Sequence, residues 1–170
     1  SAAIIYTANY PVDCNYPLTC NKPIWTRDAL GNQSDYTYDP SHGGMLSRML
    51  PAPSSGSGRP LTLFTYAERY AWVMGPSGSR VQGSSAIWVP TGEVTCQTSP
   101  ASSTPVCDTA APVLSKSIEY GAAGSADALR VKGIVVTNSE GGTQRTCFSY
   151  DRYGRRISTT VPNANLGACP

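Results

Sequence analysis

Glycine and proline interrupt this chain so often that long helices have little room. It carries 16 Gly and 14 Pro in 170 residues, and the longest stretch free of both is Leu61 to Met74, LTLFTYAERYAWVM. Relative to Ala, each Gly costs a helix interior about 1 kcal/mol and each Pro about 3 kcal/mol. A long-helix bundle is therefore disfavoured, and short strands joined by turns are left. Aromatic and β-branched content favours a strand over Leu61–Met74, with a helix over Tyr66–Val73 as the alternative. Ser125-Ala126-Asp127-Ala128-Leu129-Arg130 is a second, short helical candidate with Ser125 as its cap.

Charged residues make up 14% of the chain and the net charge is +2. A field that weak does not predict nucleic-acid or membrane-surface partners. Leu, Ile, Val and Phe are scarce, but ten Tyr and three Trp supply apolar area, so a disordered chain is not expected. No apolar run is long enough to span a bilayer, so membrane insertion is not expected. Ser1–Ile5 lacks the basic start and long apolar run of a signal peptide. With no initiator Met, the chain reads as a single segment, residues 1–170, cut from a longer protein. Pro51–Pro60 and Gln97–Pro112 read as surface loops, and neither reads as a domain boundary.

The six cysteines are Cys14, Cys20, Cys96, Cys107, Cys147 and Cys169. None form a C-x-x-C pair and His42 is the only histidine, so zinc-site spacing is absent. An even count placed in loops favours disulfides and an oxidising compartment, over the alternative of free thiols. The local pairing, Cys14–Cys20 and Cys96–Cys107, leaves Cys147–Cys169.

The informative pattern is self-similar. Tyr36-Thr37-Tyr38-Asp39 is followed by Pro40-Ser41-His42-Gly43-Gly44, and Phe148-Ser149-Tyr150-Asp151 by Arg152-Tyr153-Gly154-Arg155-Arg156. Phe64-Thr65-Tyr66 and Ile118-Glu119-Tyr120 are weaker copies. The second tyrosines fall at 38, 66, 120 and 150, and the widest gap leaves room for a degenerate copy near Trp88. A period of this size points to a repeat architecture. Each unit makes sense as a hairpin. In Asp151-x-x-Gly154, and in Asp28-Ala29-Leu30-Gly31, the Asp bonds backbone N–H groups ahead of it and the Gly takes positive φ. Alternation places Ser34, Tyr36 and Tyr38 on one strand face, and Gln33, Asp35 and Thr37 on the other. The tyrosine face, with Phe148 and Tyr150 in the later copy, is expected to be the buried one.

These segments resemble the Rhs (rearrangement hot spot), or YD-repeat, family. The resemblance rests on Tyr150-Asp151-Arg152-Tyr153-Gly154-Arg155 and on Arg27 to Asp39, with Trp25-Thr26 before and His42-Gly43-Gly44 after. The tail Thr160 to Leu166 is also similar to family sequence. Asp is missing after Tyr66 and Tyr120, and Asp39 reaches its Gly one residue late. The resemblance implies a mainly β fold: antiparallel β-hairpin repeats in a curved sheet, one slice of a shell. It implies a non-catalytic wall that encloses or presents a C-terminal toxin polypeptide, on an extracellular or cell-surface protein. The partners would be the rest of the parent chain and its enclosed domain. The alternative is a surface module that binds glycans or a partner protein.

Other constellations carry less. His42 lacks a nucleophile motif and reads as a turn residue. Asp39 and Asp151 occupy equivalent repeat positions, which favours turn capping over a glycosidase pair. Arg145, Arg152, Arg155 and Arg156 read as a solvated strand end. Trp25, Trp72 and Trp88 are the candidates for glycan contact. Asn32-Gln33-Ser34 matches a glycosylation sequon inside a turn. No enzyme, cofactor or metal is expected, and exposed strand edges favour edge-to-edge dimers of the isolated chain.

Overall fold

The computed structural model describes residues 6–162 and 166–170. The reading of Ser1–Ile5, and the part of the family-like tail formed by Asn163, Ala164 and Asn165, lie outside the described residues. The chain is mainly β. Its strands are β1 (Thr7–Asn9), β2 (Trp25–Arg27), β3 (Gln33–Tyr38), β4 (Met45–Met49), β5 (Pro60–Met74), β6 (Arg80–Gln97), β7 (Leu114–Tyr120), β8 (Val131–Asn138), β9 (Thr143–Tyr150) and β10 (Arg156–Thr159). They are hydrogen-bonded in sequence order, without a crossover. The registers from β1 to β5 and from β7 to β10 are antiparallel. Two compact units divide the chain: Ser1–Phe64 with Val94–Val113, and Thr65–Glu93 with Leu114–Pro170.

Four hairpins share one corner. In Asp28–Asn32, Gly31 N–H donates to the Asp28 carbonyl (3.0 Å) and Asp28 N–H to the Asn32 carbonyl (3.1 Å). Asp151–Arg155 repeats both bonds at 2.9 Å. So do Asn138–Gly142, at 3.1 and 3.0 Å, and Gly75–Ser79, at 3.0 and 2.8 Å. The fourth residue is a glycine at φ between +77° and +85° in each. That is a type I turn closed by a left-handed residue, a form that keeps the twist of the strands it joins. The Asp28 and Asp151 corners follow the expected spacing. In the other two, Asn138 and Gly75 stand where the motif has Asp, so the Asp-x-x-Gly spacing does not mark them. Between β3 and β4 the corner is one residue longer: Gly43 N–H reaches the Asp39 carbonyl (2.8 Å), and Gly43 has φ +71°.

Leu61–Met74 is strand throughout, so the helical alternative there is not adopted. Ser125–Arg130 is not helical either. Ser125 Oγ donates to the Ala122 carbonyl (2.7 Å) and accepts from Asp127 N–H (3.2 Å). Such side-chain bonds offer the backbone an alternative to the helical ladder. The region near Trp88 is continuous β6 with no corner, so no further copy is hidden there.

The faces depart from expectation in both units. In the first, Asp35 pairs with Met49 and Met49 with Leu61; Thr37 pairs with Ser47 and Ser47 with Leu63. Directly opposed residues share a face. Met49, Leu61 and Ser47 are 4%, 0% and 3% exposed, so the core lies on the Asp35 face. Tyr36 stands on the other, opposite the exposed Arg48. The reason is the cover. The Cys96–Cys107 disulfide ties the 97–113 segment over Met49 and Leu61, adding Cys107 and Val113 to the cluster. Asp35 is accommodated there by Arg59, 2.6 Å away. In the second unit the most buried position of β9 is Cys147 (3% exposed), which alternates with Phe148 and Tyr150 and is bonded to Cys169. Phe148 and Tyr150 themselves are half-buried. With Cys14–Cys20, all six cysteines are paired as the local scheme expects. A loop of this size, once cross-linked, contributes roughly 2–4 kcal/mol.

Candidate functional site

Three of the four recurring tyrosines, Tyr38, Tyr120 and Tyr150, occupy equivalent seats. Tyr38 Oη donates to the Pro23 carbonyl (3.2 Å), Tyr120 Oη to Pro90 (2.8 Å) and Tyr150 Oη to Val131 (2.7 Å). A cation lies over each ring: Lys22 Nζ at 5.2 Å, Arg69 at 5.1 Å and Arg130 at 5.6 Å. Each cation also holds a nearby corner. Lys22 Nζ donates to the Gly43 carbonyl. Arg69 donates to the carbonyls of Gly121 and, at 2.8 Å, Ala128. Arg130 pairs with Asp127 at 2.5 Å and fills the space where a Cβ on Gly154 would sit. A Cβ on Gly43 would come 2.9 Å from the Leu18 carbonyl oxygen, so the disulfide-closed 14–20 loop packs on that glycine. Burial pushes the Tyr38 and Tyr120 phenols above their usual range, which keeps them as neutral donors. These cations carry no local sequence signal, because they lie upstream at unequal distances from their tyrosines.

The carboxylates of the motif serve their own corners. Asp28 Oδ1 accepts from Leu30 and Asn32 N–H, both at 2.9 Å, and Asp151 Oδ1 from Tyr153 and Arg155 N–H, both at 2.9 Å. Asp39 Oδ1 accepts from Ser41 N–H (2.8 Å) and His42 N–H (3.2 Å). All three carboxyls are held below their usual range. The largest cause is the Asn32 side-chain amide for Asp28, the Ser41 hydroxyl for Asp39 and the Arg155 backbone N–H for Asp151. His42 Nδ1 accepts from Gly44 N–H (3.0 Å), so in the neutral ring the proton sits on Nε2, 3.6 Å from Asp39 Oδ2. The sequon's Asn32 amide donates to Asp28 Oδ2 at 2.8 Å.

Arg152, Arg155 and Arg156 are solvent-exposed, as a solvated strand end should be, and Arg145 is half-buried. Arg145 pairs with Glu119, Arg155 with Asp151 (2.7 Å), Arg152 lies 4.6 Å from the Tyr153 ring and Arg156 5.3 Å from Phe148. Among the described residues, no cluster of three His, Cys, Asp or Glu side chains is placed to hold a metal ion. No helix among them is long and apolar enough to cross a membrane.

The tryptophans are placed differently from one another. Trp25 lies opposite Asp35 under the Arg27 guanidinium (4.9 Å), and Trp88 is exposed on β6. Trp72 lines a cleft of about 370 Å³ in the second unit, with Glu68, Arg69, Tyr70, Gln82 and Tyr120. This cleft was not legible in the sequence beyond the naming of Trp72. Its other members lie on three strands, and only β-pairing brings them together. No family model matches the chain, and no curated protein matches it.

Proposed function

We propose that the chain is a non-catalytic stretch of a repeat wall of the Rhs or YD type, one that encloses or presents a C-terminal toxin polypeptide. The observation that carries this reading is the repeated unit: a tyrosine bonded to a backbone carbonyl, a cation over its ring, and a neighbouring corner tied to that cation. Repeat-equivalent positions doing one structural job are what a wall needs, since each strand must hold its register against the next. The engagement of Asp28, Asp39, Asp151 and His42 by their own corners supports a structural role for them. Three disulfides suit an exported, cell-surface protein.

The test is protease protection in the parent protein. Its C-terminal polypeptide is expected to resist digestion, and to become sensitive when Tyr38, Tyr120 and Tyr150 are together changed to Ala. Digestion at the same rate with the residue 1–170 stretch intact, disrupted or deleted would refute the wall.

A further inference from the structure

We propose that Cys14–Cys20 is a redox latch: thiols open this disulfide while the other two stay closed, and its opening frees the edge strand β1. The inference goes beyond the wall reading and does not rest on it.

The three disulfides sit in different surroundings. Cys96 is 5% exposed and packs in the cluster with Met49 and Leu61, where its partner Cys107 joins it. Cys147 is 3% exposed, and the sulfur of its partner Cys169 lies against the buried Gly133, 2.7 Å from where a Cβ on that glycine would sit. Cys14 has no such cover. It is exposed, as are Asn15, Tyr16, Pro17 and Leu18 beside it, and Cys20 is half-buried. Thiol–disulfide exchange needs a thiolate within reach of a sulfur, so access decides which bond opens first.

The chemistry is a two-step exchange with glutathione or a small dithiol as reductant. A thiolate attacks Cys14 Sγ, the Cys14–Cys20 bond breaks, and Cys20 leaves as a thiolate. A second thiolate displaces Cys14 from the mixed disulfide. Two thiols are oxidised to one disulfide, and their electrons and protons leave Cys14 and Cys20 as free thiols.

The loop that this bond closes is what seats the connector between β1 and β2. β1 is three residues long and mostly exposed, and among the described strands it bonds to β2 alone. The 14–20 loop rests on the β3–β4 corner, where a Cβ on Gly43 would meet the Leu18 carbonyl oxygen at 2.9 Å and Leu18 Cβ at 3.2 Å. Just beyond the loop, Lys22 donates to the Gly43 carbonyl and covers the Tyr38 ring, and the Pro23 carbonyl accepts from Tyr38 Oη. Ile24 N–H then donates to the Asn9 carbonyl at 2.8 Å, where β1 ends. The disulfide holds the loop in the one shape that fits Gly43. Once it opens, that restraint is lost, and β1 is left with its own few backbone bonds. The chain thus keeps β1 docked where thiols are scarce and releases it where they are abundant, baring the edge of β2.

The test is stepwise reduction of the intact, oxidised chain with glutathione or dithiothreitol at neutral pH, trapped with N-ethylmaleimide and mapped by peptide mass spectrometry. Cys14 and Cys20 should be alkylated at about tenfold less reductant than the other four cysteines. Hydrogen exchange on the same samples should quicken about tenfold or more at Thr7–Asn9 and at residues 22–27 once the latch is open, while β8 keeps its protection. Reoxidation should restore slow exchange. The Cys14→Ser/Cys20→Ser variant should exchange fast at β1 without reductant; if it does not fold, the reduced native chain decides the matter. The proposal is overturned if either other disulfide opens at the same or lower reductant, if β1 exchange is unchanged with Cys14 and Cys20 reduced, or if β8 loses protection together with β1.

Discussion

Replacing Gly154 by Ala should destabilise the second unit more than the same change at Gly141, and the difference should vanish when Arg130 is absent. Both glycines close the same kind of corner, at φ +84° and +85°. Each substitution therefore carries the same left-handed backbone penalty, about 1–2 kcal/mol. An added Cβ at Gly141 meets nothing within 4 Å, whereas at Gly154 it would overlap the Arg130 guanidinium. That group is the far end of a flexible side chain, so it can move aside. Moving takes it from the Tyr150 ring and from Asp127. A partly exposed cation–π contact contributes about 0.5–1 kcal/mol and a partly exposed ion pair about 0–1 kcal/mol. The extra loss at Gly154 should thus be about 0.5–2 kcal/mol. The assay is urea denaturation under oxidising conditions of Gly141→Ala, Gly154→Ala, Arg130→Ala and the Gly154→Ala/Arg130→Ala double variant, read as a coupling energy. Equal destabilisation at the two glycines, or an extra loss at Gly154 that persists without Arg130, would refute the reasoning.

Three other outcomes are expected. Asp28, Asp39 and Asp151 have depressed folded-state pKa values, so their stabilising effect is complete above the ordinary carboxylate range and is lost as pH falls through the lowered values. Urea midpoints should hold from neutral pH to about 5 and decline below about 4, and Asp151→Asn should shallow that decline; a midpoint that rises on acidification contradicts it. Arg59→Ala should cost roughly 2–4 kcal/mol. It leaves Asp35 half-buried without its cation and removes donors to the carbonyls of Gln33 (2.7 Å), Leu50 (2.8 Å) and Met49 (3.1 Å); a loss under about 0.5 kcal/mol would be that of an ordinary surface pair. Finally, among the described residues β1 pairs with β2 and β10 with β9, and each leaves one backbone edge unpaired by another described strand. Sedimentation should show concentration-dependent dimers of the isolated chain, and a monomer at every concentration would count against edge pairing.

The hairpin character was legible because turn chemistry is local. Asp28 and Gly31, or Asp151 and Gly154, act on backbone atoms within a few residues of themselves. The same locality made the short disulfide loops readable. The corners at Asn138 and Gly75 lack the motif's Asp, yet their geometry survives that change of side chain, because it is set by backbone bonds. The helical reading of Ser125–Arg130 failed for a related reason: the Ser125 hydroxyl serves isolated turns as readily as a helix cap.

Alternation along β3 correctly divides Tyr36 from Asp35, but it cannot say which of the two faces is covered. A strand presents both sides equally, and burial is decided by what folds onto it. Here the 97–113 segment is drawn over Met49 and Leu61 by Cys96–Cys107, and Cys147 is bonded to Cys169 on the side away from Phe148. The cations over Tyr38, Tyr120 and Tyr150, and the meeting of Glu68, Tyr70, Trp72 and Gln82 in one cleft, are likewise products of strand pairing. Turn positions, strand-forming stretches and local cysteine pairs were thus set by the residues themselves, through forces that act within a few positions of the backbone. The choice of buried face and the make-up of the cleft were set only in the tertiary structure, because both depend on contacts between segments whose separation along the chain says nothing of their separation in space.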